Sequence, residues 1–227
     1  MLLRLGRLFA VTILSLFLLS LLAVVPLRWL NPPITAFMLA DKNSRGILSQ
    51  GWVRWAEVGE SMPLAVIASE DQKFAAHRGF DVDSIRKSIV QYADGAPLRG
   101  ASTISQQVAK NLYLWRGRSF VRKGFEAYFT LLIEASWSKR RILEVYLNIA
   151  EFGPGIYGAG TAATTFFGKP PAAMSDREAA LLAAVLPNPV RLHADRPSEY
   201  VRKRQGWIAG QMQRLRREQW LLLIADD

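Results

Sequence analysis

No cysteine occurs in the 227 residues, so disulfides, thiolate catalysis, iron–sulfur clusters and cysteine-ligated zinc are excluded, and an oxidising compartment does the chain no harm. Histidine is nearly as scarce. His77 and His193 stand far apart in sequence, which argues against a multi-histidine metal site. Acidic residues are in deficit: 19 Asp and Glu face 29 Lys and Arg, for a formal net charge of +10. Such a chain seeks polyanions, whether nucleic acid, anionic lipid headgroups or phosphorylated substrates. Disorder is excluded, because half the residues are hydrophobic and 7 Trp, 6 Tyr and 11 Phe are among them. At this length the chain makes one well-filled domain with an appendage rather than two large enzymatic domains.

Charge is missing altogether from Leu8 to Leu27, a run of 20 residues between Arg7 and Arg28. At about 1.5 Å per residue, a helix of that length crosses the roughly 30 Å hydrocarbon layer of a bilayer. The run is longer than the apolar region of a signal peptide, about 7 to 15 residues, and no small-x-small cleavage site follows it. A retained anchor is therefore expected over residues 1–30. Arg4 and Arg7 on one side are matched by Arg28, Lys42 and Arg45 on the other, so the charge count assigns no orientation. A basic domain tethered beside a bilayer meets lipid-linked phosphates before it meets nucleic acid.

Residues 31–60 mix Pro, Gly and polar groups with Trp52 and Trp55 and read as a connecting arm. Residues 61–227 then form the main domain with a basic C-terminal helix. Apolar residues recur at spacings of three and four over 62–77, 81–93, 103–114, 119–137, 139–152, 176–186 and 198–222, and each is predicted to be helical. Gly79, Gly95 with Pro97, Gly117, the Gly-rich stretch 153–160, and Pro187 with Pro189 separate them. Ser175 with Glu178 spells a capping box. Alternating strand patterns are absent, so the fold class is mainly α.

Three stretches carry chemistry. In Glu70-Asp71-Gln72-Lys73-Phe74-Ala75-Ala76-His77-Arg78-Gly79, a helix would put Glu70, Phe74 and His77 on one face, a setting for a carboxylate base. The ordinary alternative is a solvated Glu70, a core Phe74 and a helix-terminal His77. In the second stretch, Ser102, Thr103, Gln106, Gln107 and Asn111 crowd hydrogen-bonding groups suited to sugar hydroxyls around Lys110, a point charge for phosphate. A helix cap explains Ser102 or Thr103 equally well. In the third, Arg122 and Lys123 share a helical face with Glu126, near Arg118. A surface ion pair would look the same, but a cluster of Arg118, Arg122, Lys123 and Lys110 becomes favourable once a pyrophosphate sits among them.

Other spellings fail on context. Gly153 to Gly158 matches G-x-G-x-x-G but follows a helix, so no dinucleotide site is expected. Ser84 to Lys87 and Ser136 to Lys139 spell S-x-x-K without an accompanying K-T-G. The basic residues Arg202, Lys203, Arg204, Arg214, Arg216 and Arg217 read as a solvated helix face or one that lies on anionic lipid.

Taken in order, these stretches resemble the signatures of glycosyltransferase family 51, the polymerases of peptidoglycan. E-D-x-x-F-x-x-H-x-G-x-D appears as Glu70 to Asp81, and G-G-S-T-I-T-Q-Q-x-x-K-N as Gly100 to Asn111, with Ala101 for the second Gly and Ser105 for the Thr. R-K-x-x-E appears as Arg122 to Glu126, and R-I-L-E-x-Y-L-N as Arg141 to Asn148. Glu178 to Ala183, leading to Pro187-Asn188-Pro189, is a fifth. The resemblance spans about residues 45–190 and has no following transpeptidase domain, as in the monofunctional members.

That resemblance implies a lysozyme-like helical domain with a small membrane-dipping lobe around 86–100 and 112–121. It implies lipid II as substrate, a growing glycan on undecaprenyl pyrophosphate as donor, and inversion to a β-1,4 link. Glu70 matches the base that takes the acceptor's 4-hydroxyl proton, and Glu126 the second essential Glu. Lys110 and Arg118 match the residues that hold the pyrophosphate. The substrate-binding set is completed by Arg122, Lys123, Ser102, Thr103, Gln106, Gln107, Asn111, Asp71 and Phe74. No tightly bound cofactor is expected; a divalent cation, Mg or Mn, assists the pyrophosphate in the family, and no metal-ligating set is visible in the sequence. Implied partners are inner-membrane lipids and cell-wall synthesis or division proteins, not nucleic acid. The implied location is the bacterial inner membrane, single-pass, with the catalytic domain on the periplasmic side. An inverting displacement calls for well-separated carboxylates, by analogy with inverting hydrolases about 6.5 to 9.5 Å. A membrane-bound muramidase and a non-catalytic basic scaffold are the rival readings.

Overall fold

A computed structural model describes residues 2–44, 51–95, 102–117 and 119–218. The chain opens with α1 (Leu2–Val24), most of whose side chains are exposed. With the 3-10 turn that follows, the segment Leu3–Arg28 has 26 residues and reaches a mean hydropathy of 2.8, long and apolar enough to cross a membrane. Its far end is docked. The Ser20 and Tyr128 hydroxyls meet at 2.6 Å, and Tyr113 Oη and Trp137 Nε1 donate to the carbonyls of Ala23 and Val24 at 3.2 and 3.0 Å. Arg141 donates to the carbonyls of Leu27 and Leu30. This one apolar helix fits a single-pass anchor continuous with the domain.

The arm holds two helices, α2 (Ala36–Ser44), started by Thr35, and the short α3 (Trp55–Val58). The helix α4 (Ser61–Glu70) is apolar all round, with Met62 to Ala68 buried, and such a helix belongs at the centre of a core. After it come α5 (Val82–Ala93), α6 (Ile104–Tyr113), α7 (Phe120–Ser136) and α8 (Lys139–Ile149). Next are a hairpin of β1 (Glu151–Gly153) and β2 (Ile156–Tyr157), then α9 (Ala159–Phe167), α10 (Asp176–Val185) and α11 (Glu199–Arg217). The helices α10 and α11 pack on α4 and on each other, while α6 packs on α7 and α8.

Caps fix where the helices begin. Asp81, Thr103, Ser119, Ser138, Ser175 and Ser198 each accept a backbone N–H three residues on, satisfying donors that a helix start leaves orphaned. Ser175 and Glu178 form the predicted capping box, and Thr103 with Gln106 forms another. Of the two candidates for the cap of α6, Thr103 is the one used.

The fold departs from the sequence expectation at two places. The helix predicted over 62–77 stops at Glu70, and residues 72–79 are turns. Asp71 explains the break: its carboxylate accepts from Ile104 N at 3.1 Å and faces His77 Nε2 at 2.8 Å, contacts that a continuing helix could not deliver. Gly79 (φ +86°) closes the turn where a Cβ would lie 2.8 Å from Thr130 Cγ2. The second departure is at 139–152, where the helix ends at Ile149 and the Gly-rich stretch becomes the hairpin and the start of α9. Strands of three and two residues are too short to alternate legibly. Gly158 (φ +85°) brings the chain against Asn148 O, which a Cβ would meet at 2.9 Å.

Candidate active site

Because α4 stops at Glu70, its last side chain is delivered to an opening in the surface rather than to a helix flank. Glu70 stands where two cavities meet. One, of about 910 Å³, is lined by Ser69, Glu70, Ser102, Gln107 and Lys110 on one side and by Leu186, Pro187, Tyr200, Lys203, Arg204 and Trp207 on the other. The second, of about 280 Å³, shares Ser69, Glu70 and Ser102 and continues to Lys73, Asp81 and Ser84.

The carboxylate is oriented by three donors. Ser69 Oγ reaches Oε1 at 2.8 Å and Arg204 Nη2 reaches it at 3.4 Å, while Gln107 Nε2 donates to Oε2 at 3.0 Å. Gln107 is held in turn by the buried Tyr146 hydroxyl, 3.2 Å from its Oε1. Burial first, and then the charges of Glu70 and Asp71, push the Tyr146 phenol well above its ordinary pKa, so it remains a donor.

Lys110 comes from the same helix as Gln107, one turn inside the groove. Desolvation lowers its ammonium pKa from the ordinary 10.5; Glu126 and Glu70 pull it back up, while Arg122 and Lys123 push it further down. The ammonium therefore feels both carboxylates. It makes no ion pair among the described residues and rests 5.5 Å from the centroid of the Phe37 ring.

Glu126 is buried on α7, 2% exposed, and takes a bond from Arg122 Nη1 at 2.7 Å and one from Lys123 Nζ. Lys123 remains half exposed and also reaches Ser102 Oγ at 3.4 Å. Arg122 and Lys123 thus converge on Glu126, the pairing that their shared helical face allows. The carboxylate is what makes their proximity tolerable, and Arg122 Nε is buried with no partner. Arg118 lies outside the described residues.

Of the other predicted binding residues, Phe74, Gln106 and Asn111 line neither cavity, whereas Asp71 and Thr103 line the second. Phe74 is fully buried, edge-on to His77 and 4.5 Å from Lys139 Nζ, so it is core and presents no surface to a substrate. Asp71, Thr103 and Gln106 are buried and committed to turn and cap bonds that shape the groove floor. Asn111 is half buried and lines neither cavity. Ser102, Gln107 and Lys110 are on the walls.

The sequence reading missed the far wall. It read the basic residues of α11 as a solvated or lipid-facing surface; Arg202, Lys203, Arg214, Arg216 and Arg217 are exposed and the apolar stripe of Val201, Ile208, Met212 and Leu215 is buried, but Arg204 turns inward and reaches Ser69 and Glu70. The signal was present: Tyr200, Arg204 and Trp207 recur at four and three residues, a second face beside the apolar stripe.

Among the described residues no group of three or more His, Asp or Glu gathers as a metal cage requires, and the charged groups nearest Lys110 include two more cations. The donor set does not fit a resident divalent ion. What the groove can do is accept a proton at Glu70 and draw an anion toward Lys110.

Comparison with known proteins agrees with that chemistry. A transglycosylase family model matches residues 42–213. A biosynthetic peptidoglycan transglycosylase of Stutzerimonas stutzeri is 52% identical over 221 residues, covering 95% of this chain and 90% of that protein. One of Pseudomonas syringae is 50% identical over 208 residues, covering 89% and 88%. One of Pseudomonas aeruginosa is 48% identical over 211 residues, covering 90% and 91%. With a family pattern across most of its length and relatives at about half identity, this chain belongs to the transglycosylase family.

Proposed function

We propose that this protein is a peptidoglycan glycosyltransferase that polymerises lipid II into glycan strands, with undecaprenyl pyrophosphate as the leaving group. One observation carries the reading: Glu70 stands at the junction of two cavities with the unpaired Lys110 cation on the same wall. The acceptor's 4-hydroxyl approaches Glu70, which takes its proton as general base. The hydroxyl oxygen bonds to the donor's anomeric carbon as the carbon–oxygen bond to pyrophosphate breaks, and the electron pair leaves with the phosphate. Lys110 stabilises the charge that develops there, aided by the basic pair that Glu126 keeps in place. A single displacement turns an α-linked donor into a β-linked product.

Topology follows from the substrate. Lipid-linked disaccharides are consumed on the outer face of the inner membrane, so α1 is the anchor and the groove lies on the periplasmic side. Bases placed for sugar hydrolysis also occur in muramidases, but a hydrolase expels a sugar alcohol and has little use for Lys110 beside its base. The purified full-length protein, incubated with lipid II in detergent, should yield polymeric glycan. Release of fragments from finished peptidoglycan, with lipid II left intact, would make it a lytic enzyme instead.

A further inference from the structure

Lys110 has a neighbour that the transglycosylase match does not cover. The match begins at residue 42, whereas the ring under the Lys110 ammonium belongs to Phe37, on the arm that leads from the membrane helix. A second cation shares that ring: the Arg116 guanidinium lies 4.8 Å from its centroid. Arg116 is itself fixed. Its Nη2 donates to Asp41 Oδ2 at 2.9 Å and to Tyr157 Oη at 3.0 Å, and Tyr157 Oη donates to the same Asp41 carboxylate. Asp41 is buried and one turn beyond Phe37, so a single face of α2 presents the ring to Lys110 and the carboxylate to Arg116. The helices α2 and α6 pack on each other, and the Phe37 ring meets Lys110 across them.

The ring supplies what Lys110 otherwise lacks. A lysine on a flexible stem, with no ion pair among the described residues, gains from the ring an electrostatic preference for one rotamer. The negative face of an aromatic ring attracts a desolvated ammonium without neutralising it, so its full charge stays available to an incoming anion. We propose that Phe37 is a positioning residue for polymerisation: the connecting helix holds its ring against the Lys110 ammonium and aims that charge at the pyrophosphate of the lipid-linked substrate. This rests on the functional reading above.

The test uses the full chain in detergent with lipid II, measuring kcat, KM and the alkaline side of the pH profile. The charged and titratable groups around Lys110 are Glu70 on α4, Asp41 on α2 with Arg116 in the loop after α6, Arg122, Lys123 and Glu126 on α7, Tyr146 on α8 through Gln107, and Tyr200, Lys203 and Arg204 across the cavity on α11. None of these changes in a Phe37 variant. Phe37→Leu and Phe37→Met should lower kcat/KM about tenfold at unchanged thermal midpoint. The ammonium loses a favourable neighbour, so the alkaline limb should move to lower pH, by roughly half a unit to one unit. Phe37→Tyr, which keeps the ring, should retain both values. In a Lys110→Met background Phe37→Met should have no further effect. Wild-type kcat/KM and an unmoved limb in the folded Leu and Met variants would overturn the proposal, as would Phe37→Tyr being as impaired as Phe37→Leu, or an additive loss on top of Lys110→Met. A Lys110→Met protein with full polymerising activity would overturn the role given to Lys110 and the proposal with it, whereas wild-type protein that leaves lipid II intact would sink the functional reading itself, a result that the Phe37 variants cannot imitate.

Discussion

Glu70 is ordered by groups from three separate helices: Ser69 beside it, Gln107 on α6 and Arg204 on α11. Lys110, one turn from Gln107, titrates below an ordinary lysine because it is desolvated in the groove. Burial lowers its pKa below 10.5, so its charge is lost at a lower pH than that of an ordinary lysine. Polymerisation should therefore lose activity on the alkaline side as pH rises through that lowered value, and Lys110→Arg, which stays charged, should push the limb upward while retaining part of the rate. Lys110→Met should reduce kcat by about 10² to 10³ at all pH values, as loss of a charge-stabilising donor does. Steady-state rates on lipid II across pH distinguish the three. Glu70, Glu126 and Lys110 could be picked out chiefly because the ordered signatures around them resemble glycosyltransferase family 51; their types and spacing alone also fit a solvated Glu70 and a surface ion pair at Glu126. Arg204 could not, since its contact with Glu70 spans 134 residues and depends on α11 folding back over α4.

At the level of elements, starts were easier to read than stops. Capping residues announce α5, α6, α7, α10 and α11 within a residue or so, because a cap is a local bond. The end of α4 is decided by Asp71 reaching Ile104, 33 residues away, which no local pattern contains. The cap of α10 has a measurable consequence. Lys169 first, and then the Ser175 backbone, pull the Glu178 carboxyl down to about 2 from its ordinary 4.5. A depressed carboxylate contributes stability above its unfolded pKa and loses it as pH falls toward the folded one, so thermal midpoints should decline between about pH 4.5 and 2. Glu178→Gln should flatten that decline and lower the midpoint near neutrality. A second junction ties three helices: Glu134 on α7 accepts from Lys139 on α8 at 2.8 Å and from Ser105 on α6. Glu134→Ala should destabilise the domain by about 3 kcal/mol in urea unfolding, since it leaves a buried lysine without its carboxylate.

Across the whole molecule, the membrane helix is more than a tether. Residues 3–19 are exposed, but Val24 is buried and its carbonyl accepts from Trp137. Deleting residues 2–18 should leave the thermal midpoint nearly unchanged and weaken association with vesicles. Deleting 2–30 should lower the midpoint as well, because it removes the docking bonds to Trp137 and Arg141. The net charge of +10 adds an attraction to anionic lipid that salt should screen. Net charge, the uncharged run from Leu8 to Leu27 and the three-and-four spacing of apolar residues were enough to see an anchored basic helical domain; the way α11 and the arm both return to the groove needed three dimensions.

The account depends most on Glu70 acting as the base. Purified full-length protein and its Glu70→Gln variant, compared in one lipid II polymerisation assay with circular dichroism of both, give the direct test. The variant should keep the wild-type spectrum and lose about 10² to 10⁴ of the rate. Polymer made at the wild-type rate by a folded Glu70→Gln protein would contradict the account.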